Sequence, residues 1–279
     1  MKNADEKKEG ALLRFLYGNF FGRVLLKVLC RRWISVTVGA FLSTPLSRPL
    51  VEPFVEKNGI DLSDYEGAPY GTFNDFFSRK IKEGKRPISG DVRDVASPCD
   101  GKLSVFGISR DTVIPVKQSE YRIGDLLDNK ALAEKYRDGV CLVFRLCVDD
   151  YHRYSFPVDG RVVEKRKIKG ELHTVRPIAL ESVPVFARNS REYCLIETDG
   201  FGDVLQMEVG ALLVGRIENR DTDVAVKGEE KGMFLFGGST VILLFEKDRV
   251  LIEERYFERT ALGLETPVKS GETVGKRIA

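Results

Sequence analysis

The sequence predicts an α+β chain in which an N-terminal helical region precedes a β-rich core, and two observations carry that expectation. Residues 11–41 mix Leu, Phe, Tyr and Trp33 with basic side chains, and Phe15, Phe20, Leu25 and Leu29 recur at loosely helical spacing. After Val95 the texture changes. Short runs rich in Val, Ile, Leu and Phe at 102–107, 141–148, 161–168, 203–209 and 240–246 alternate with Gly, Asp and Pro turns, as many short strands would. The soft boundary near residue 95 separates a helical cap and connector, 1–94, from a β-rich core, 95–279.

Taken in order, residues 11–41 predict a helix or a helix pair. Aromatic rings suited to the headgroup level and Lys/Arg suited to anionic lipid make the segment a candidate interfacial anchor, so that the region faces a membrane. The same pattern fits an amphipathic helix packed on the protein's own core, and both readings stay open. Arg14, Arg23, Lys27, Arg31 and Arg32 interrupt the apolar run, so no stretch reaches the roughly 18 residues of a spanning helix. Asp5, Glu6 and Glu9 stand where a signal peptide would be basic. Residues 46–94 are polar and carry one predicted helix, TFNDFFSRKIKEG, opened by Thr72 and closed near Gly84. A helical segment over Asp125–Tyr136 interrupts the strands.

The 279 residues carry 44 basic and 42 acidic side chains, a net charge of +2, so no global field marks a nucleic-acid binder. The five cysteines form no CxxC pair, and an odd number cannot all pair within one chain, which points to a reducing, cytoplasmic setting.

The chemistry concentrates near the C-terminal end, in Phe236-Gly-Gly-Ser-Thr240 followed by VILLF. Two glycines before Ser239 remove side-chain obstruction and permit a strained turn. There the serine hydroxyl is able to attack its own preceding carbonyl, at Gly238. On these residues alone a hairpin turn is the simpler reading. Four further segments accompany the turn: Tyr70-Gly-Thr-Phe-Asn-Asp-Phe-Phe-Ser-Arg-Lys80 with Arg86-Pro-Ile88; Ser97-Pro-Cys-Asp-Gly101; Asp150-Tyr-His-Arg-Tyr154; and Val209-Gly-Ala-Leu-Leu-Val-Gly-Arg-Ile217, with Gly228-Glu-Glu230 ahead of the turn. In this order they resemble the phosphatidylserine decarboxylases over roughly residues 12–275.

The resemblance implies a self-cleaving proenzyme cut between Gly238 and Ser239, giving a large chain 1–238 and a small chain 239–279. It implies that Ser239 becomes a covalent pyruvoyl group, which forms a Schiff base with the substrate amine and turns phosphatidylserine into phosphatidylethanolamine and carbon dioxide. It implies that Asp100 is the acid of an Asp-His-Ser constellation, orienting the imidazole that takes the Ser239 proton. His152 matches a histidine associated with the decarboxylation step. In one respect the sequence departs from the pattern: a second histidine, the usual base of self-cleavage, is replaced by Ser155. His152 covering both roles, His173 as substitute base, and a relay through Ser155 all stay open, with His152 ranked first. No pyridoxal phosphate and no metal are implied. The implied partners are membrane phosphatidylserine and the two chains of one proenzyme, without nucleic acid, on the cytoplasmic side of a membrane as a peripheral protein; self-association is left open. Two alternatives stand beside this reading. One is a serine hydrolase using Ser239, His152 and Asp100, although no GxSxG elbow is present; the other is a lipid-binding relative that does not process.

Overall fold

The computed structural model describes residues 11–116, 119–175, 179, 184–211, 216–235 and 239–278. The front of the chain forms α1 (Ala11–Gly18), α2 (Phe20–Leu29), α3 (Arg32–Leu42), a 3-10 turn (Pro45–Leu50) and α4 (Val51–Asn58). Asn19 separates the first two helices by capping α2, its side chain accepting from the Phe21 amide at 2.9 Å. At Gly22 any Cβ would fall 2.0 Å from the Phe15 carbonyl oxygen, so the corner between α1 and α2 closes only over glycine. Leu16, Tyr17, Leu26 and Cys30 bury themselves in the main core. Phe20 and Phe21 remain 75% and 74% exposed, and Trp33 64%. Among the described residues no helix is long and apolar enough to cross a membrane.

A short helix, α5 (Phe73–Phe77), opens where the sequence predicts, with Thr72 accepting from the Asp75 amide at 3.1 Å. It does not run on to Gly84. Ser78 closes it, donating from both its amide and its hydroxyl to the Asn74 carbonyl. Arg79 then turns inward, its guanidinium 4.2 Å from the centre of the Tyr65 ring. Local polar bonding and the burial of one arginine override the helical propensity of the segment that follows.

The strands are β1 (Asp94–Ala96), β2 (Gly101–Gly107), β3 (Val113–Val116), β4 (Ser119–Arg122), β5 (Val140–Leu146), β6 (Arg153–Ser155), β7 (Gly160–Ile168), β8 (Arg191–Thr198), β9 (Gly202–Val209), β10 (Arg216–Asn219), β11 (Val224–Ala225), β12 (Glu230–Leu235), β13 (Ser239–Phe245), β14 (Val250–Leu251), β15 (Thr266–Val268) and β16 (Thr273–Arg277). The main sheet runs β11-β7-β8-β9-β13-β5-β2-β15, with every pair antiparallel. β13 lies inside it and is buried at all seven residues, as its unbroken VILLF run requires. A smaller sheet, β10-β12-β6, joins the main one through buried polar contacts; in one of them the Gln206 amide of β9 donates to the Ser155 carbonyl of β6 at 3.1 Å. β8, whose sequence REYCLIET breaks its apolar run with charges, adds to the predicted strands. The predicted Asp125–Tyr136 helix is instead two short helices, Ile123–Leu127 and Lys130–Ala133, and a 3-10 turn. It breaks at Asp128, which takes φ 49°, and restarts under the Asn129 cap.

Candidate active site

Strand register assembles the site. β5 lies between β2 and β13, with Ser239 opposite Leu146 and Lys102 opposite Arg145. Asp100, just ahead of β2, and Ser239, the first residue of β13, therefore stand at the same end of the sheet, about 10 Å apart at the backbone by strand spacing. Gly101 permits this approach, because a Cβ there would meet the Arg145 carbonyl oxygen at 3.0 Å. Beyond Leu146 the chain turns through Cys147–Asp150, fastened by the Cys147 amide donating to Asp150 Oδ2 at 2.7 Å, and delivers His152 to this end as well.

Ser239 is fully buried, and its hydroxyl has no hydrogen-bond partner among the described residues. Gly238, the other half of the expected cleavage site, lies outside the described residues, as do Phe236 and Gly237. His152 is also fully buried. Its Nδ1 is 2.9 Å from the Asp150 carbonyl, and its ring packs on Phe77 with centroids 3.9 Å apart. A carbonyl only accepts, so Nδ1 carries the proton and the lone pair is on Nε2, the tautomer of a base.

Among the described residues no hydrogen bond joins that imidazole to Asp100. Both its oxygens are engaged elsewhere: Arg86 donates through Nε and Nη2 at 2.9 and 2.7 Å, Lys269 at 3.2 Å and the Ser270 amide at 2.8 Å. Burial works against its charge, but Arg86, the Ser270 amide and Lys269 outweigh it and hold the carboxyl below the usual range. In place of the expected Asp100–histidine bond the structure has the Asp150 carbonyl on His152 Nδ1 and the arginine fork on Asp100.

Ser155 is buried on β6, its amide and hydroxyl both directed to the Pro98 carbonyl at 2.8 and 3.3 Å, two residues from Asp100. The His173 ring makes no hydrogen bond to Ser239, His152 or Asp100 among the described residues. Its Nδ1 meets Tyr17 Oη at 3.4 Å and Cys30 Sγ at 3.5 Å, and its Nε2 lies 3.0 Å from Glu171. Burial lowers its pKa despite Glu171. It ties the N-terminal helices to the core, with both ring nitrogens engaged by Tyr17, Cys30 and Glu171.

Asp150 is a group the sequence did not single out for chemistry. Burial raises its pKa to about 6 against the pull of the Cys147 amide, with Asp149 and Asp100 adding to the rise. Cys147, Asp149 and Asp150 bring a thiol and two carboxylates within 4.8 Å of one another, a donor set for a metal among the described residues. The Cys147 thiol, pushed up to about 11 by burial, holds a proton that a metal would have to displace, so the group fits one poorly.

The pattern of the phosphatidylserine decarboxylase family matches residues 73–276. The chain belongs to that family. Phosphatidylserine decarboxylase proenzyme 2 of Clostridium acetobutylicum is 43% identical over 273 residues, covering 98% of this chain and 94% of the relative. The proenzymes of Fusobacterium nucleatum and Ruminiclostridium cellulolyticum are each 41% identical and cover 96% of this chain, with 91% and 92% of their own lengths matched. The serine-hydrolase and lipid-binding alternatives find no support in these phosphatidylserine decarboxylase matches.

Proposed function

We propose that the chain decarboxylates phosphatidylserine to phosphatidylethanolamine, after cutting itself between Gly238 and Ser239 and converting Ser239 into a pyruvoyl group. The observation that carries the reading is the Ser239 hydroxyl, completely buried at the head of a central strand yet without a hydrogen-bond partner among the described residues. A buried hydroxyl left unpaired costs about 1–3 kcal/mol, which suits a group that chemistry consumes. Once formed, the pyruvoyl carbonyl supplies the electron sink for the charge left at Cα when carbon dioxide departs.

The chain's own residues divide the remaining work. His152, its tautomer set by the Asp150 carbonyl, takes the Ser239 proton through Nε2 as the hydroxyl oxygen attacks the Gly238 carbonyl carbon, and returns it to the Ser239 nitrogen as the C–N bond breaks, leaving an ester; β-elimination then frees the Gly238 carboxylate and leaves dehydroalanine, which water converts to the pyruvoyl group and ammonia. Asp100 acts through Arg86 and Lys269, fixing the 97–100 turn on which Ser155 rests. Phe77 shields the imidazole from water. The exposed faces of α1 to α3, with Phe20, Phe21 and Trp33 beside Arg31 and Lys27, suit the surface of an anionic bilayer, the membrane-associating cap expected of residues 1–94.

The test is turnover on vesicles of phosphatidylserine. Wild-type protein should release carbon dioxide and phosphatidylethanolamine, and Ser239→Ala should do neither and stay uncut. Turnover by Ser239→Ala would overturn the reading.

A further inference from the structure

Beneath Ser239 the two sheets are joined by a buried ion pair. Lys231 Nζ lies 2.6 Å from Glu208 Oε2, with side chains 4% and 0% exposed. Glu208 is on β9 opposite Val241 of β13, and Ser239 follows the same face two residues along. Glu208 and Ser239 are diagonal neighbours on one face, about 7–8 Å apart by antiparallel geometry. Lys231 belongs to β12, which ends at Leu235, ahead of the expected cleavage site. The ladder between β12 and β6 slips there: Glu230 pairs with Ser155 and Gly232 with Tyr154, leaving Lys231 as the extra residue of a bulge. Such a bulge re-aims a side chain, here inward onto Glu208.

The pair belongs to a wider network. Lys231 Nζ also donates to Asn219 Oδ1 at 3.0 Å, and Tyr154 Oη donates to the same oxygen at 3.1 Å. Asn219 Nδ2 reaches back to Glu208 Oε2 at 3.3 Å and to Glu192 at 3.2 Å. One cluster thus ties together the strand following His152, the strand before the cleavage turn, and the sheet that holds Ser239. Glu208 Oε1 takes no hydrogen bond among the described residues. A buried pair of this kind is seldom worth more to stability than apolar residues of the same volume, so stability alone does not account for it.

We propose that the Glu208–Lys231 pair is a positioning device for self-cleavage, holding β12 against the main sheet beside Ser239 at the head of β13. The inference rests on the reading of Ser239 as the cleavage residue. It separates the pair's effect on maturation from its effect on folding, and the double variant Glu208→Leu/Lys231→Met exposes the difference. That variant should melt at or above the wild-type temperature, yet cleave about 10²-fold more slowly, the cost of a misplacement near 1 Å. Both are measured on freshly purified proenzyme, by thermal unfolding and by a gel time course. Wild-type cleavage in the stable double variant would overturn the proposal. If the double variant does not fold, the nearly isosteric Glu208→Gln decides: several-fold slower cleavage supports positioning, and an unchanged rate overturns it. Wild-type protein that never cleaves would remove the reading of Ser239 itself, a different outcome from either.

Discussion

The N-terminal helices and the Ser239 end of the sheet invert ordinary protein chemistry in opposite directions. The helices expose what a globular chain normally buries: Phe20, Phe21 and Trp33 face outward while Leu16, Tyr17 and Leu26 hold them to the core. The sheet end buries what a chain normally exposes, with Asp100, His152, Ser155, Glu208, Lys231 and Ser239 all inside. Each arrangement is costly by itself, since exposed aromatics invite association and buried polar groups must be paired. On the proposed reading the two suit an amphipathic substrate, the exposed aromatics meeting the bilayer and the buried sheet end handling polar chemistry away from water. His173 links the two, its ring touching Tyr17 and Cys30 of the helices while its backbone is held by Asn189, which also bonds the Gly210 carbonyl beside β13.

The two histidines break or sharpen this division most strongly. His152→Ala should slow self-cleavage by about 10²–10⁴-fold, the usual worth of a general base, whereas His173→Ala should loosen the helices and leave cleavage within a few-fold of wild type. A gel time course of each purified variant separates them. Normal cutting in His152→Ala with a block in His173→Ala would reverse the assignment.

A smaller effect is expected at the helices. Replacing Phe20, Phe21 and Trp33 with serine should weaken sedimentation with anionic liposomes and leave self-cleavage at the wild-type rate, because the proposed reading gives these exposed side chains to lipid and not to Ser239. Liposome binding equal to wild type would make the helices mere core packing.

The smallest effect concerns pH. Asp150 titrates near 6 in the folded chain and near 3.9 unfolded, so the fold holds its proton more tightly. That contribution to stability is complete below about pH 4 and is lost as pH rises through about 6. Asp150→Asn should abolish this decline, seen as a flatter melting temperature across the window; equal slopes in both proteins would place the proton elsewhere.

Much of this was legible in the residues. Apolar runs marked β2, β5, β7, β9 and β13, and the ordered segments around Ser97–Gly101, Asp150–Tyr154 and Phe236–Thr240 identified the family. What escaped depends on partners distant in sequence. The helix after Thr72 stops at Ser78 because of Asn74 and the inward turn of Arg79, which local propensity does not register. Asp100 was expected to orient a histidine, and the structure shows it bonded to Arg86, Lys269 and Ser270, two of them about 170 residues away. Lys231 reads as one more charge in Gly-Glu-Glu-Lys-Gly, and only the bulge in β12 turns it inward.

The central claim is that Ser239 is consumed by chemistry, and intact-mass measurement of the purified active protein tests it most directly. Two chains should appear, residues 1–238 ending in a free carboxyl group and residues 239–279 lighter by one ammonia than a serine-initiated peptide, with no sequenceable N-terminal amine. A homogeneous preparation that decarboxylates phosphatidylserine as one uncut chain of 279 residues would contradict it.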